Sequence, residues 1–347
     1  MKRIVLLSVV VYLLTGWAFA QSDLQPAAIV NLTKSEPITV KQFRTEVERM
    51  EKSAQRPLTE PQRREVLDAM INERLAIQAA EKDRITISEA EVNRQIDQLK
   101  NQMVQAIGRQ PTDAEFATAI RNESGLEMPA FREQVRRQLI TQKYLMTKKQ
   151  SAFDAIKPPT DQEIVNAYNL AKASFVRPDT VRFSMIQVAY GADAASKTKA
   201  KELADRLVRD IGVSAAKFDE AVLRGQAANS GYQAGDAGYL PRNMEAAQIV
   251  GQDFITTAFN LKQGEVSRMM EGRAGYQIIK ITETYAQKSL ELDDIFQLGT
   301  RMSVRDYIAN TLFQERQMKV FSDATQELVT ELRAGKTFQI FERNISW

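Results

Sequence analysis

Two residue types that supply much of the chemistry of protein sites are absent from this sequence, which contains no histidine and no cysteine among its 347 residues. This composition excludes disulfide bonds and thiol chemistry, and it leaves a zinc or copper ion only carboxylates and weaker donors as ligands. The acidic pair Asp293-Asp294 is the cluster to test for a metal. Because oxygen-only sites need many convergent ligands, we expect a solvated loop there, with no metal and no cofactor.

An ordered series of glycines and apolar residues in the second half of the sequence forms a distinctive pattern. It consists of Gly235-Asp236-Ala237-Gly238-Tyr239-Leu240, the apolar segment 254–259, the glycine-containing segment 261–267 and Gly275-Tyr276-Gln277-Ile278-Ile279-Lys280. In this order the segments resemble the parvulin family of peptidyl-prolyl cis/trans isomerases. The resemblance implies rotation about an X–Pro amide, over a barrier of ~18–20 kcal/mol, with no bond broken. It also implies an apolar pocket that holds the prolyl ring and binds the twisted amide better than the planar one.

The polar part of such a site does not carry over. The resemblance implies two histidines with a cysteine or aspartate; by position, these fall on Met185, Gln277 and Ala228 respectively. We therefore assign no catalytic residue and treat these three as degenerate positions. Gln277 can still donate and accept hydrogen bonds, but it cannot titrate.

The apolar part of the pocket partly persists. The pocket methionine of the family falls on Val250 and the pocket leucine on Ala237, while Phe254 and Phe259 are retained. The resemblance therefore implies peptide contacts by these four residues and by Gln277. The glycines of the series are typical turn residues that serve the fold.

The elements around this series indicate a compact α+β domain. From Val181 onward the sequence predicts a strand at 181–190, helices at 194–211 and 218–223, a glycine-rich loop at 225–238, a short helix ending near Phe259 and a strand at 276–282. With the resemblance, this pattern predicts a parvulin-like domain at residues 178–287, with a four-stranded antiparallel sheet and flanking helices.

The rest of the chain is mostly helical. Apolar residues recur every four positions from Leu67 to Ala79, and Ser88 with Glu91 forms a capping-box pattern. Segments 66–80 and 85–92 resemble the helical domain of SurA-type periplasmic chaperones, and SurA-type and PrsA-type chains differ in their number of parvulin copies, of which we find one.

The closing segment 337–341 alternates apolar and polar residues and predicts a strand, for which the segment 28–32 is the expected partner. This pairing would make the helical module discontinuous. We predict a signal peptide at 1–20, a SurA-like domain at 21–177 and a C-terminal helix and strand at 288–347 that pack back on it.

The first twenty residues have the pattern of a secretory signal. Lys2 and Arg3 precede an apolar run, and Ala18-Phe19-Ala20 supplies the small residues of a cleavage site. The run is short for a membrane anchor, which needs ~20 apolar residues. We expect cleavage after Ala20, a periplasmic protein and no membrane span in the mature chain; with no cysteine, lipid attachment at a new N-terminal cysteine is excluded.

Three functions remain open at this point. The 47 basic residues nearly balance the 44 acidic ones, which argues against a nucleic-acid partner. The leading hypothesis is a holdase for unfolded client proteins, chiefly outer-membrane precursors, whose strands expose unpaired edges in transit. The rival is an active isomerase with a rearranged pocket around Phe254, Gln277 and Asp236. A third interpretation is an assembly module in which the parvulin-like domain only docks partners.

Overall fold

The computed structural model describes residues 23–191, 193–227 and 229–346. The predicted signal peptide and its cleavage after Ala20 lie outside the described residues, and so does the degenerate position Ala228.

The chain folds into two compact units. The first contains the described residues up to Ile156 together with those from Arg316 onward, and the second contains Lys157–Glu315.

Helices account for most of the described residues. In chain order they are α1 (Val40–Ala54), α2 (Glu60–Lys82), α3 (Glu89–Ile107), α4 (Asp113–Ser124), α5 (Met128–Lys148), α6 (Gln150–Asp154), α7 (Asp161–Ala171), α8 (Ala194–Ile211), α9 (Ala215–Gly225), α10 (Met244–Val250), α11 (Gln252–Asn260) and α12 (Val304–Ala334). None of these described helices is both long enough and apolar enough to cross a membrane.

The strands form three antiparallel sheets. In chain order they are β1 (Pro26–Val30), β2 (Glu36–Thr39), β3 (Val176–Arg177), β4 (Thr180–Ala189), β5 (Gln233–Pro241), β6 (Met270–Glu271), β7 (Gly275–Tyr285), β8 (Lys288–Ser289) and β9 (Phe338–Ile340). The sheet orders are β2-β1-β9, β3-β8 and β5-β4-β7-β6. The four-stranded antiparallel sheet and the mixed α+β class confirm the predicted fold class.

In the first unit, the two ends of the described chain meet in one sheet. Ala28 pairs with Ile340 and Val30 pairs with Phe338, so the last strand lies beside the first. This pairing confirms the predicted discontinuous helical module. Ala28 and Val30 of β1 are fully buried, in a core that also contains Phe43 of α1.

The helices of the first unit begin where their local capping signals predict. The Glu91 backbone N–H donates to Ser88 Oγ at 3.3 Å, and the Ser88 backbone N–H donates to the Glu91 carboxylate at 2.8 Å. The hydrogen bond from the Ser88 backbone N–H, with further bonds from the Ser88 hydroxyl and Lys143, lowers the pKa of Glu91 to about 2. The predicted capping box is therefore confirmed and ionised at neutral pH.

In the second unit, the four-stranded sheet lies between two layers of helices. Because side chains alternate along a strand, Val181 and Phe183 of β4 pack against α10 and α11. Ile186 and Val188 of the same strand pack on the other side, against α8 and α9.

A further buried cluster of the second unit joins segments that are far apart in the sequence. Tyr168 and Phe175 stack with their ring centres 5.7 Å apart, and the Tyr168 hydroxyl donates to the Leu290 carbonyl at 3.0 Å. Val304 is fully buried beside them. The predicted parvulin-like domain, residues 178–287, lies inside this unit, and its limits stay a prediction.

Candidate functional site

A groove of about 480 Å³ opens on the second unit beside α11 and β6. It is lined by Val250, Gly251, Gln252, Asp253, Phe254, Met270, Glu271, Gly272, Arg273 and Gln277. Three of the five residues predicted to contact peptide are therefore brought together here, namely Val250, Phe254 and Gln277.

The strand register places both described degenerate positions on one face of the sheet. Gln277 on β7 lies opposite Gln187 on β4, and Met185 on β4 lies opposite Ile279 on β7. Residues two apart on a strand share a face, so Met185 and Gln277 are diagonal neighbours on the face that also carries Phe183. Met185 is partly buried against the core cluster that contains Phe254.

Phe254 is both a core residue and a wall of the groove. Its side chain is buried, and its ring meets that of Phe183 edge-on with the centres 5.5 Å apart. Val250 at the end of α10 packs against the same cluster. The apolar wall is therefore fixed by the sheet beneath it and needs no ligand to form.

Gln277 supplies an uncharged polar group to the groove. Its side-chain amide lies against Gly272, where an added Cβ would meet Oε1 at 2.8 Å and Cδ at 3.0 Å. A glycine at position 272 therefore lets the Gln277 amide lie close to the β6–β7 turn. Among the described residues the amide has no hydrogen-bond partner, which leaves it available to a peptide group.

The other two predicted contacts lie away from the groove. Phe259 packs against the same core, with the Arg242 guanidinium 5.4 Å from its ring centre, but it does not line the groove. Ala237 is exposed at an irregularity in β5, where Phe183 pairs with Gly238 and Ser184 pairs with Asp236. One residue of β5 is left unpaired there, as in a β-bulge.

Met270 and Glu271 are among the groove residues that the sequence reasoning did not single out. Met270 lies opposite Gln277 in the β6–β7 pair and places a thioether in the groove. A flexible, polarisable thioether suits an apolar pocket, and the Met269-Met270 pair shortly before Gly275 was the signal that could have indicated it. Glu271 beside it accepts a hydrogen bond from the Tyr190 hydroxyl at 3.1 Å. Burial, with that hydrogen bond, raises the pKa of Tyr190 to about 12.

Asp236, assigned to the pocket by the rival hypothesis, has a different role in the structure. Arg182 on the central strand β4 donates to Asp236 at 2.6 Å and to Glu283 at 2.8 Å. The Arg182 guanidinium also lies 5.3 Å from the Tyr239 ring centre. Asp236 does not line the groove, so we interpret it as part of an ion-pair network that ties β5, β4 and β7 together.

This network predicts a dependence of stability on acid. Hydrogen bonding to Arg182 lowers the pKa of Asp236, and hydrogen bonds from Tyr285 and Arg182 lower the pKa of Glu283. A carboxylate whose pKa is lower in the folded state than in the unfolded state stabilises the fold at pH values above its unfolded-state pKa. This stabilisation is lost as the pH falls through the folded-state pKa. We expect Arg182→Met to lower the free energy of unfolding at pH 7 and to make that free energy fall less steeply as the pH becomes acidic. Urea titrations at pH 7 and at acid pH measure both effects.

The control is Arg206→Met, which removes an exposed guanidinium from α8 in the same unit. That variant should keep the wild-type acid profile. Equal profiles for Arg182→Met and the wild type would contradict a stabilising network.

The described residues offer no group of three or more acidic side chains placed to hold a metal ion. In the acidic pair Asp293-Asp294, Asp293 accepts a hydrogen bond from Arg305 at 3.0 Å and Asp294 accepts one from Lys288 at 2.5 Å.

The fold and the groove together define a class of protein. A helical module closed by the first and last strands is combined with a parvulin-type domain whose groove is lined by Val250, Phe254 and Gln277. Residues 159–295 match the PPIC-type PPIase domain family, and residues 1–145 match the SurA-like N-terminal domain family. The chain thus combines a SurA-like N-terminal domain with a single parvulin-type domain, and in this it resembles SurA/PrsA-type chaperones.

Individual relatives agree with this assignment. The chaperone SurA of Alcanivorax borkumensis is 28% identical over 239 residues, which cover 67% of this chain and 50% of that protein. The foldase protein PrsA of Clostridium botulinum is 22% identical over 300 residues, covering 86% of this chain and 79% of that protein. The match therefore spans only half the length of the SurA relative.

The solved structures that match include one from a study of two structurally related SurA-like chaperones of Campylobacter jejuni. That match is 14% identical and covers 91% of this chain and 100% of that chain, with a TM-score of 0.41. PrsA from Bacillus subtilis is 21% identical, with 90% of this chain and 93% of that chain covered and a TM-score of 0.29.

Proposed function

We propose that this protein is a periplasmic holdase that binds unfolded exported proteins, outer-membrane precursors among them, and that its parvulin domain captures peptide with little or no isomerase activity. One observation carries the proposal. The two face-sharing positions at which the parvulin resemblance implies histidines are Met185 and Gln277. Neither side chain titrates, so the groove offers an apolar grip and one amide in place of a polar network.

Capture and catalysis place different demands on the groove. Catalysis requires tighter binding of the twisted amide than of the planar one, against a barrier of ~18–20 kcal/mol. Apolar contacts from Val250, Phe254 and Met270 to a prolyl ring would be alike whether the adjoining amide is planar or twisted. Uniform contacts of this kind bind peptide without lowering the barrier.

The isomerase measurement separates the proposal from its rival. We expect the intact mature protein to accelerate isomerisation of a proline-containing peptide only slightly above buffer. The variant Gln277→Met removes the amide while keeping a similar volume, and it should leave that low rate unchanged. A brisk, saturable rate that falls in Gln277→Met would favour the active isomerase.

The chaperone measurement uses the same preparation. At modest molar excess, the mature protein should suppress aggregation of a urea-unfolded β-barrel precursor diluted into buffer. A folded protein that gives no suppression would count heavily against a holdase. Recovery of the protein from the periplasmic fraction would test its predicted location. A measured mass equal to that of a chain beginning at Gln21 would test the cleavage after Ala20.

Gel filtration of the intact protein tests the assembly alternative. A stable oligomer without any suppression of aggregation would favour that alternative over the holdase.

A further inference from the structure

Charged residues line the groove beside α11 and β6, in addition to its apolar wall. They are Asp253 at the start of α11, and Glu271 and Arg273 on the hairpin of β6 and β7. A peptide held by the apolar wall also lies near these groups. A charge that has no partner within the fold therefore decides which peptide side chains the groove attracts.

Glu271 has partners within the fold. Its carboxylate accepts the hydrogen bond from the Tyr190 hydroxyl, and the Lys197 ammonium lies 4.7 Å from the centre of the Tyr190 ring. Hydrogen bonding to Asp205 raises the pKa of Lys201 on α8, and the nearby charge of Glu271 adds to that rise. The negative charge of Glu271 is therefore balanced by a hydroxyl donor and by cations of α8.

Asp253 lies where a helix stabilises a negative charge. It is in the first turn of α11, a helix of nine residues. The first N–H groups of a helix have no partner within it, and they place a partial positive charge at that end. Part of the charge of Asp253 is therefore compensated within the fold.

Arg273 has no such compensation. Its side chain is exposed, and in the part of the chain that the structure describes its guanidinium forms no ion pair and no hydrogen bond. Of the three charges that line the groove, the positive one is therefore the charge left for a bound peptide. A guanidinium presents a planar set of donors that matches a carboxylate in both charge and geometry.

The backbone holds Arg273 beside the groove. The Gly272 N–H donates to the Gly275 carbonyl at 2.9 Å, so Arg273 and Ala274 form the tip of the hairpin. The Ala274 carbonyl accepts from the Tyr190 N–H, also at 2.9 Å, next to the end of β4. The tip is thus fixed to the central strand, and only the side chain of Arg273 must become ordered when a peptide binds.

We propose that Arg273 sets the sequence preference of the groove by attracting a peptide whose carboxylate side chain lies two or three residues from the proline held at Phe254 and Met270. This inference rests on the proposed capture of peptide by the parvulin domain, and it specifies the class of peptide. Arg273 is a specificity-determining residue in this role, because it selects among peptides that the apolar wall holds equally well.

The spacing follows from the hairpin. Met270 lies opposite Gln277, and Arg273 is three residues further along the chain. Because a strand rises about 3.3 Å per residue, the tip lies about 7–10 Å beyond that pair. An extended peptide advances at the same rate, so about two or three of its residues span this distance.

The binding test uses four labelled peptides with the intact mature protein, read by fluorescence anisotropy at low salt. The first three have a central proline between leucines, and about three residues to either side of the proline they carry glutamate, glutamine or lysine respectively. The fourth keeps the glutamates and has serine in place of the proline and leucines.

The first peptide should bind about threefold more tightly than the second, which is the size expected of an exposed ion pair. The third should bind more weakly than the second, because its ammonium groups are repelled by Arg273. The fourth should bind most weakly, because it lacks the apolar anchor. Since salt screens exposed charges, about 0.5 M salt should abolish the difference between the first two peptides.

Matched variants locate the preference. Arg273→Gln should bind the glutamate and glutamine peptides equally, and Arg273→Glu should reverse the order so that the lysine peptide binds more tightly than the glutamate peptide. Arg273→Lys keeps the charge and should keep the preference. The control Arg268→Gln removes an exposed arginine of the same unit that does not line the groove, and it should behave as the wild type.

The outcomes separate this inference from the proposed function. Equal binding of the first three peptides by the wild type overturns the role of Arg273 and leaves peptide capture intact. A preference for glutamate that survives in Arg273→Gln places the recognition elsewhere and also overturns it, as does a fourth peptide that binds as tightly as the first. A wild-type protein that binds none of the peptides and suppresses no aggregation removes the proposed function itself.

Discussion

Replacing Gly275 by alanine is expected to destabilise the second unit by about 3 kcal/mol, at the upper end of the usual cost of overpacking. An added Cβ would lie 2.2 Å from the carbonyl oxygen of Val188 and 2.9 Å from the Cα of Ala189. Both are backbone atoms of β4, the strand paired with β7, so no side-chain rotation relieves the contact. The two central strands of the sheet must separate, and the face that carries Gln277 must shift with them.

Gly235 on β5 provides a matched control. An alanine Cβ there would meet no atom within 4 Å, and the residue does not adopt a positive φ. Gly235→Ala should therefore change the free energy of unfolding by less than about 1 kcal/mol. Urea titrations followed by circular dichroism measure both variants. Unfolding of Gly275→Ala that is indistinguishable from the control would show that the sheet tolerates the extra methyl group.

The sequence predicted best the elements that carry local signals. The capping pair of Ser88 and Glu91 sets the start of α3. The alternation of Phe338 and Ile340 likewise indicated the strand that pairs with β1. In each case a short stretch of chain contains the whole physical cause.

Strand β5 was only partly foreseen. The sequence indicates a glycine-rich loop from Gly225 to Gly238, yet pairing with β4 begins with Gln187 opposite Gln233. Glycine, alanine and aspartate have low strand propensity, so the local signal favours a loop. The hydrogen bonds of the central strand, distant in sequence, override that preference.

The groove residues that belong to motifs within one continuous segment could be predicted from the sequence, whereas those placed by strand pairing could not. Gln277 and Phe254 follow from motifs in continuous segments, and both line the groove. Met270 depends on the pairing of β6 with β7; the Met269-Met270 pair in the sequence indicates an apolar contact near Gly275 but not the strand register. Ala237 lies at the irregularity of β5, and a bulge changes which side of the sheet the following residues face.

Gln78→Leu is expected to lower the free energy of unfolding of the first unit by about 2–3 kcal/mol, through buried polar groups that lose their partner. Gln78 is fully buried on α2, and its side-chain oxygen accepts from the backbone N–H groups of Leu32 and Thr33, both at 3.0 Å. Its side-chain nitrogen donates to Glu36 at 3.2 Å. One amide thus fixes the β1–β2 turn to the central helix of the unit.

Leucine fills the same space as Gln78 but accepts nothing, so the cost should appear at the turn as well as in overall stability. Hydrogen exchange at Leu32 and Thr33 should accelerate in Gln78→Leu, and urea should unfold the variant at lower concentration. The control Gln102→Leu alters an exposed glutamine of α3 and should leave both measurements unchanged. Undiminished protection of the Leu32 amide in Gln78→Leu would show that the turn is held by β1–β2 pairing alone. Because β1 also pairs with β9, loss of the turn is expected to loosen the closing strand and with it the whole discontinuous module.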